Sequence, residues 1–310
     1  MPGRKVTVRA PATSANLGPG FDALGLALDL WNEVDVEVAE AGGGAVEVEV
    51  LGEGAGELPR GPENLVARAF LRAVVEMKAR LPGTARLVCR NAIPLARGLG
   101  SSAAATVAGI LAAEAAAGHP LPPERRLALA AEIEGHADNV AACLLGGLVA
   151  CAPSPTGPFA LRLPYAGPPE VALIIPDFRV PTAEARAVLP DTYPRADAIA
   201  NVQRTAILVG ALASGDRVAL AHGVADRLHQ PYRMGLYRGA DAVLGDAAAF
   251  GAAAACVSGA GPTLLAFPVR DGDGAARALA EALAGRWRAL GVTCTGRALA
   301  VALYGARARE

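Results

Sequence analysis

Apolar and polar residues alternate from the start of the chain. VTVRAPA (6–12), NEVDVEVAE (32–40) and VEVEVLGEG (46–54) each place valines at every second position. That period, with β-branched residues, predicts half-buried strands. The period lengthens at ENLVARAFLRAVVEMKARL (63–81), where helical spacing runs to a stop at Pro82-Gly83. ARLVCRNAIP (85–94) predicts a further strand. Helices are expected from Ser101 to Ala117, closed by Gly118 and Pro120, and at LPPERRLALAAEIEG (121–135).

The texture changes at CAPSPTGPFALRLPYAGPPE (151–170), where six prolines interrupt the pattern. We expect the domain boundary there, with residues 1–160 and 161–310 as two domains. Beyond it, VALIIPD (171–177) predicts a buried strand. TAEARAVLP, AIANVQRTAILVGALASG, DRVALAHGVADRLHQ and DAVLGDAAAFGA predict helices. AACVSGAGPTLLAFPV reads as strand, glycine turn, strand, and a helix (275–290) and the strand VTCTGRALAVAL follow. Strands and helices intermix without a strict βαβα rhythm, so the expected class is α+β.

Composition narrows the partners. Across 310 residues the formal charge is −1 and 53% are apolar. Such a chain can build a substantial core and lacks the basic footprint of a nucleic-acid binder. No apolar run reaches the ~20 residues of a membrane span, and MPGRKVTVRAP lacks the apolar stretch of a secretory signal. The five cysteines are scattered without a CxxC pair, which predicts free thiols in a reducing cytoplasm rather than disulfides or zinc.

Candidate chemistry lies in three glycine-rich segments: PATSANLGPGFDALGLAL (11–28), PLARGLGSSAAA (94–105) and VSGAGPTLLAF (257–267). The middle one opens a helix, whose first N–H groups lack internal partners and favour an anion. Ser101 and Ser102 add hydroxyls near the cap. Two better-known phosphate motifs fit less well. Gly98-Leu99-Gly100-Ser101-Ser102-Ala103 matches GxGxxG/A, but the next acid, Glu114, sits inside the helix rather than ~20 residues on. A Walker loop requires Gly-Lys-Ser/Thr, and the only lysines are Lys5 and Lys78. Helix N–H groups, Arg97 and a magnesium ion are then the expected charge partners, the ion requiring a carboxylate. AEIEGHADNVAACLLGG (131–147) offers Glu132, Glu134, His136, Asp138 and Asn139 within eight residues.

Together the three segments resemble the GHMP small-molecule kinases. Pro94-Leu95-Ala96-Arg97-Gly98-Leu99-Gly100-Ser101-Ser102-Ala103 matches that family's P-x-x-x-G-L-G-S-S-A signature, and the likeness runs from Val6 to at least Phe267. It implies an N-terminal domain like ribosomal protein S5 domain 2, a ferredoxin-like C-terminal domain, and an active site between them. It also implies ATP and Mg²⁺ as cofactors and a cytoplasmic enzyme, commonly a homodimer. Within the family the segments most resemble the branch that phosphorylates the side-chain hydroxyl of L-homoserine on the way to threonine. Another acceptor alcohol, of the mevalonate or shikimate type, and a non-catalytic relative are the alternatives.

The resemblance carries roles onto matching positions. Pro94 to Ala104 would wrap the ATP phosphates, and Ser101 or Ser102 with Glu134 would hold Mg²⁺, Glu132 remaining open because helix register decides. Asn16, Asp22, His136 and Asp138 match the amino-acid pocket, with Asn139 beside them. Arg186 and Arg233 match arginines on substrate, and Gly261 and Thr263 would sit against substrate or the transferring phosphate. The sequence has HADN where many members have HPDN, a change of stiffness rather than chemistry. An amino-acid zwitterion fits this set: an arginine can grip its carboxylate in two prongs, and Asp22 or Asp138 suits its ammonium. No lysine lies in any motif, so alignment and charge neutralisation are expected to dominate over a strong general base.

Overall fold

The computed structural model describes residues 5–39, 45–81, 83–272 and 274–309. The first four residues, Glu40 and Pro82, on which three of the expectations above rest, lie outside them. Strands β1 (Val6–Ala15), β2 (Leu24–Val38), β3 (Val46–Gly52) and β4 (Ala85–Asn91) begin the first sheet. The hairpin β5 (Leu148–Ser154) and β6 (Gly157–Leu163) extends it through β2. Helices α1 (Leu65–Glu76), α2 (Ser101–Ala117), α3 (Pro123–Glu134) and α4 (Asp138–Leu145) accompany it. The second sheet holds β7 (Glu170–Pro176), β8 (Ala252–Val257), β9 (Leu264–Pro268) and β10 (Cys294–Ala300), in the order β10-β7-β9-β8 and antiparallel throughout. Counted within that sheet the order is 4-1-3-2, the ferredoxin-like arrangement. Helices α5 (Thr182–Ala187), α6 (Arg195–Ser214), α7 (Arg217–Gly223), α8 (Gln230–Arg233) and α9 (Ala240–Asp246) lie between β7 and β8, and α10 (Ala275–Ala289) between β9 and β10. A last strand, β11 (Arg307–Arg309), returns to β1.

α2 is the pillar of the first domain. Its residues from Ala103 to Glu114 are buried almost without interruption, which explains an alanine-rich sequence with no polar stripe. Small side chains allow close packing: a Cβ on Gly109 would overlap the Val66 carbonyl of α1. Gly109→Ala is therefore expected to destabilise the fold by about 1–3 kcal/mol despite the gain in helix propensity. Urea unfolding of the variant against wild type checks this.

Several elements differ from the pattern-based reading. β2 begins at Leu24, inside the glycine-rich segment 11–28 and ahead of the strand expected at 32–40, because Leu24 to Ala27 are buried on both faces and show no alternation. The proline-rich 151–170 segment contains the β5–β6 hairpin, and β6 pairs with β5 along its whole length. As a proposal, the domain division then falls in the Pro164–Pro169 segment rather than at 160/161. DRVALAHGVADRLHQ is helical only to Gly223. There the Asp226 carboxylate accepts the N–H groups of Leu228, His229 and Gln230, replacing helical bonds with side-chain ones. No helix of the described residues is long and apolar enough to cross a membrane.

Candidate active site

The three glycine segments meet between the two sheets. The Thr13 N–H donates to the Leu99 carbonyl at 3.0 Å, the Gly259 N–H to Ala15 at 3.0 Å, and Ser258 Oγ to the Gly98 carbonyl at 2.6 Å. Gly98 has φ 72°, and a Cβ there would overlap the Ser258 carbonyl. Glycine is thus required both by conformation and by the close approach of the two loops. Together the segments wall a cavity of about 320 Å³.

The start of α2 forms part of the cavity wall. Gly100, at φ 68°, caps the helix through its backbone, and no side chain fills the cap. The first N–H groups of a 17-residue helix are thereby left for an external acceptor. Leu95 to Ser102 line the cavity, whereas Pro94, Ala103 and Ala104 do not and serve the turn and the core. Arg97 lines the cavity but commits its guanidinium to the second domain, donating to the Pro176 and Asp177 carbonyls at 2.7 and 2.6 Å. It clamps the loop to β7.

Glu134, the last residue of α3, accepts from Ser102 Oγ and Thr106 Oγ1, both at 2.7 Å. The structure thus joins Glu134 to Ser102 rather than Ser101. Glu132 points elsewhere, paired with Arg125 at 3.1 Å and Arg72 at 3.5 Å. Among the described residues no three His, Cys, Asp or Glu side chains gather as a metal cage. Carboxylate and hydroxyl oxygens at the mouth of a phosphate-type loop are nevertheless the donor set that Mg²⁺ shares with phosphates.

Charged and polar side chains complete the lining, Asn139 lying beside the Gly100 cap. Asp138 opens α4, only 3% exposed, and its Oδ1 faces His136 Nδ1 at 2.8 Å and the Asn139 N–H at 2.7 Å. Burial opposes protonation of His136, but the bond to Asp138 and the charges of Asp138 and Glu134 outweigh it and raise the pKa above the ordinary value. Asn139 Oδ1 in turn accepts from Thr13 Oγ1 at 2.7 Å.

Asn16 and Asp22, also in the lining, both adopt left-handed backbone, φ 68° and 56°. Asn16 holds the strained loop by donating to the Gly259 carbonyl and accepting the Asp22 N–H. The Asp22 carboxylate forms a two-pronged pair with Arg186, at 2.7 and 3.1 Å. Arg233 is different: it is 1% exposed, donates from Nε to the Ala185 carbonyl at 2.9 Å, and has no such partner among the described residues. Burial lowers its pKa, outweighing the charges of Asp22 and Asp226 nearby. Phe21 lies beneath both guanidinium groups, 5.7 Å from Arg186 and 5.3 Å from Arg233.

Gly261 and Thr263 stand behind this surface. Gly261 packs on Tyr237, while Gly259 and Ala260 of the same turn line the cavity. Thr263 is fully buried, its Oγ1 without a hydrogen-bond partner. Pattern reasoning did not reach Phe21, Thr182 or the apolar end beyond the loop, lined by Leu58, Leu65, Val66 and Cys89 with Asn32, Asn64 and Asn91. The asparagines close elements: Asn64 caps α1 through the Val66 N–H, and Asn32 accepts the N–H groups of Ala92 and Ile93. For Asn64 and Asn91 the signal available is a lone asparagine at an element end, whereas Asn32 lies inside β2 and gives none.

This arrangement has close relatives. Residues 64–147 match the GHMP kinases N terminal domain and residues 208–289 the GHMP kinases C terminal domain. A homoserine kinase of Moorella thermoacetica is 42% identical over 96% of this chain and 98% of its own length. One from Gloeobacter violaceus is 44% identical over 93% and 95%. The chain belongs to the GHMP kinases, among the homoserine kinases. A crystal structure of homoserine kinase from Cytophaga hutchinsonii superposes with a TM-score of 0.88 at 30% identity, covering 98% of this chain and 97% of that one. The GHMP kinase fold therefore extends over both sheets.

Proposed function

We propose that this kinase transfers the γ-phosphoryl group of ATP to the side-chain hydroxyl of L-homoserine, giving ADP and O-phospho-L-homoserine. The observation that carries the reading is one cavity lined both by an uncapped helix start, which suits phosphate, and by arginine and aspartate side chains, which suit a zwitterion. Apolar residues beyond the loop, Leu58, Leu65 and Val66, suit a purine base, and Asn64 and Asn91 add polar contacts to it. The N–H groups of Gly100, Ser101 and Ser102 suit the phosphates. Ser102 and Glu134 would hold Mg²⁺, which when bound offsets charge on the phosphate oxygens.

The unpaired edge of Arg233 takes the substrate carboxylate. Asp22 keeps lone pairs beyond those used by Arg186 and takes the ammonium. Asp138 and Asn139 direct the side-chain hydroxyl toward the loop, and Thr263 stiffens the turn that faces it. In the reaction the hydroxyl oxygen bonds to the γ-phosphorus as the bond to ADP breaks, and the hydroxyl proton leaves to phosphate oxygen. Positioning supplies most of the rate, as phosphoryl transfer requires little else from the protein.

Two measurements test this. ADP release with L-homoserine, mevalonate, shikimate, galactose and L-threonine should show turnover with L-homoserine and little with the others; no turnover of L-homoserine overturns the assignment. Asp138→Asn should raise the KM for L-homoserine about tenfold and leave kcat within about tenfold of wild type. If kcat at saturating L-homoserine instead fell by about a thousandfold or more, a loss on the scale of general-base catalysis, Asp138 would be a base.

A further inference from the structure

Arg233 is a buried cation whose orientation needs explaining. Besides the Nε bond to Ala185, its Nη1 meets His229 Nδ1 at 3.0 Å and the Gly259 carbonyl at 3.4 Å. The His229 ring is fully buried, and its Nε2 lies 2.8 Å from the Gly18 carbonyl. These two contacts determine the tautomer. A carbonyl can only accept, so Nε2 carries the proton; a guanidinium can only donate, so Nδ1 presents its lone pair.

The surroundings keep the ring in that state. Burial and the Arg233 charge disfavour protonation and, although Asp226 favours it, lower the His229 pKa. Asp226 Oδ2 lies 3.5 Å from Nε2, on the protonated side of the ring, and its carboxylate also accepts three backbone N–H groups and Asn201 Nδ2 at 2.8 Å. Phe21 stacks on the imidazole at 5.0 Å, with an interplanar angle of 21°. His229 therefore joins Arg233 to the loop from Gly18 to Asp22.

We infer that His229 is a positioning residue: its Nδ1 lone pair sets the guanidinium of Arg233 so that the free edge faces the substrate carboxylate. The inference rests on the amino-acid kinase reading above. It gives a neutral histidine, outside the glycine segments and away from the reacting atoms, a part in substrate specificity.

Two substitutions separate this role from packing. His229→Asn puts an amide oxygen near the place of Nδ1 and keeps the hold on Arg233. His229→Gln puts an amide nitrogen near the place of Nε2, keeps the bond to Gly18, and fills more of the ring's volume. Steady-state kinetics should give the Asn variant a KM for L-homoserine within about threefold of wild type, and the Gln variant one raised about tenfold. In both, kcat and the KM for ATP should stay within about twofold. On an Arg233→Leu background, His229→Gln should add nothing further, because the two residues act through one contact. Equal KM values in the two variants, a Gln variant closer to wild type than Asn, or effects that multiply with Arg233→Leu would overturn the inference. If wild-type protein fails to phosphorylate L-homoserine, it is the proposed function that fails.

Discussion

Arg233→Leu is expected to lower kcat/KM for L-homoserine by about 10²–10³-fold, mostly through KM, while the KM for ATP stays near wild type. The magnitude follows from removing one partner of a desolvated charge pair, which costs roughly 2–5 kcal/mol. Arg233 is almost fully buried and has no carboxylate of its own, so its charge is available to the substrate. Arg186 offers the contrast: its carboxylate partner is already present in Asp22, and both side chains are about two-fifths exposed. Arg186→Leu should therefore cost less, near tenfold, because solvent screens that pair. Initial rates with L-homoserine varied at saturating ATP, and with ATP varied at saturating L-homoserine, check both variants. Equal losses from the two, or a loss shared with ATP, would contradict the division of roles.

Glu134→Gln should slow turnover by about 10²–10³-fold, comparable to removing one preorganised stabiliser of transition-state charge. It should also raise the Mg²⁺ concentration needed for half-maximal rate. The amide keeps the size of the carboxylate and can still meet the hydroxyls of Ser102 and Thr106, so thermal stability should change little. Glu132→Gln is the internal control. Its carboxylate faces Arg72 and Arg125 on the outer surface, and activity should stay within about twofold. Rates titrated with Mg²⁺ distinguish the two positions, and identical behaviour would remove Glu134 from the metal role.

How much of this was legible before the structure depends on what each residue answers to. The bounds of α2 were readable because local chemistry marks both ends, glycines at 100 and 118 with left-handed backbone. The first half of β2 was not, since burial on both faces erases the alternation that marks a strand. The glycine segments signalled the site because backbone approach restricts residue type directly. Spacing alone left Glu132 and Glu134 equivalent, two residues apart on one helix, and only their partners across the fold separate them. The same holds for Arg97, whose place in the loop suggested phosphate but whose guanidinium is taken by carbonyls 79 and 80 residues away. His229 gave no signal, because its role depends on a tautomer set by a carbonyl 211 residues distant.

The central claim is that the cavity accepts an amino-acid zwitterion as phosphoryl acceptor, reading both charges. Phosphorus-31 NMR of the purified protein with ATP, Mg²⁺ and one acceptor at a time tests it most directly. The acceptors are L-homoserine, 4-hydroxybutyrate, which lacks the ammonium, and 3-amino-1-propanol, which lacks the carboxylate. We predict a new phosphomonoester resonance with stoichiometric ADP from L-homoserine, and rates lower by about 10²-fold or more with either singly charged analogue. No phosphomonoester from L-homoserine, or comparable rates with all three acceptors, would contradict the account.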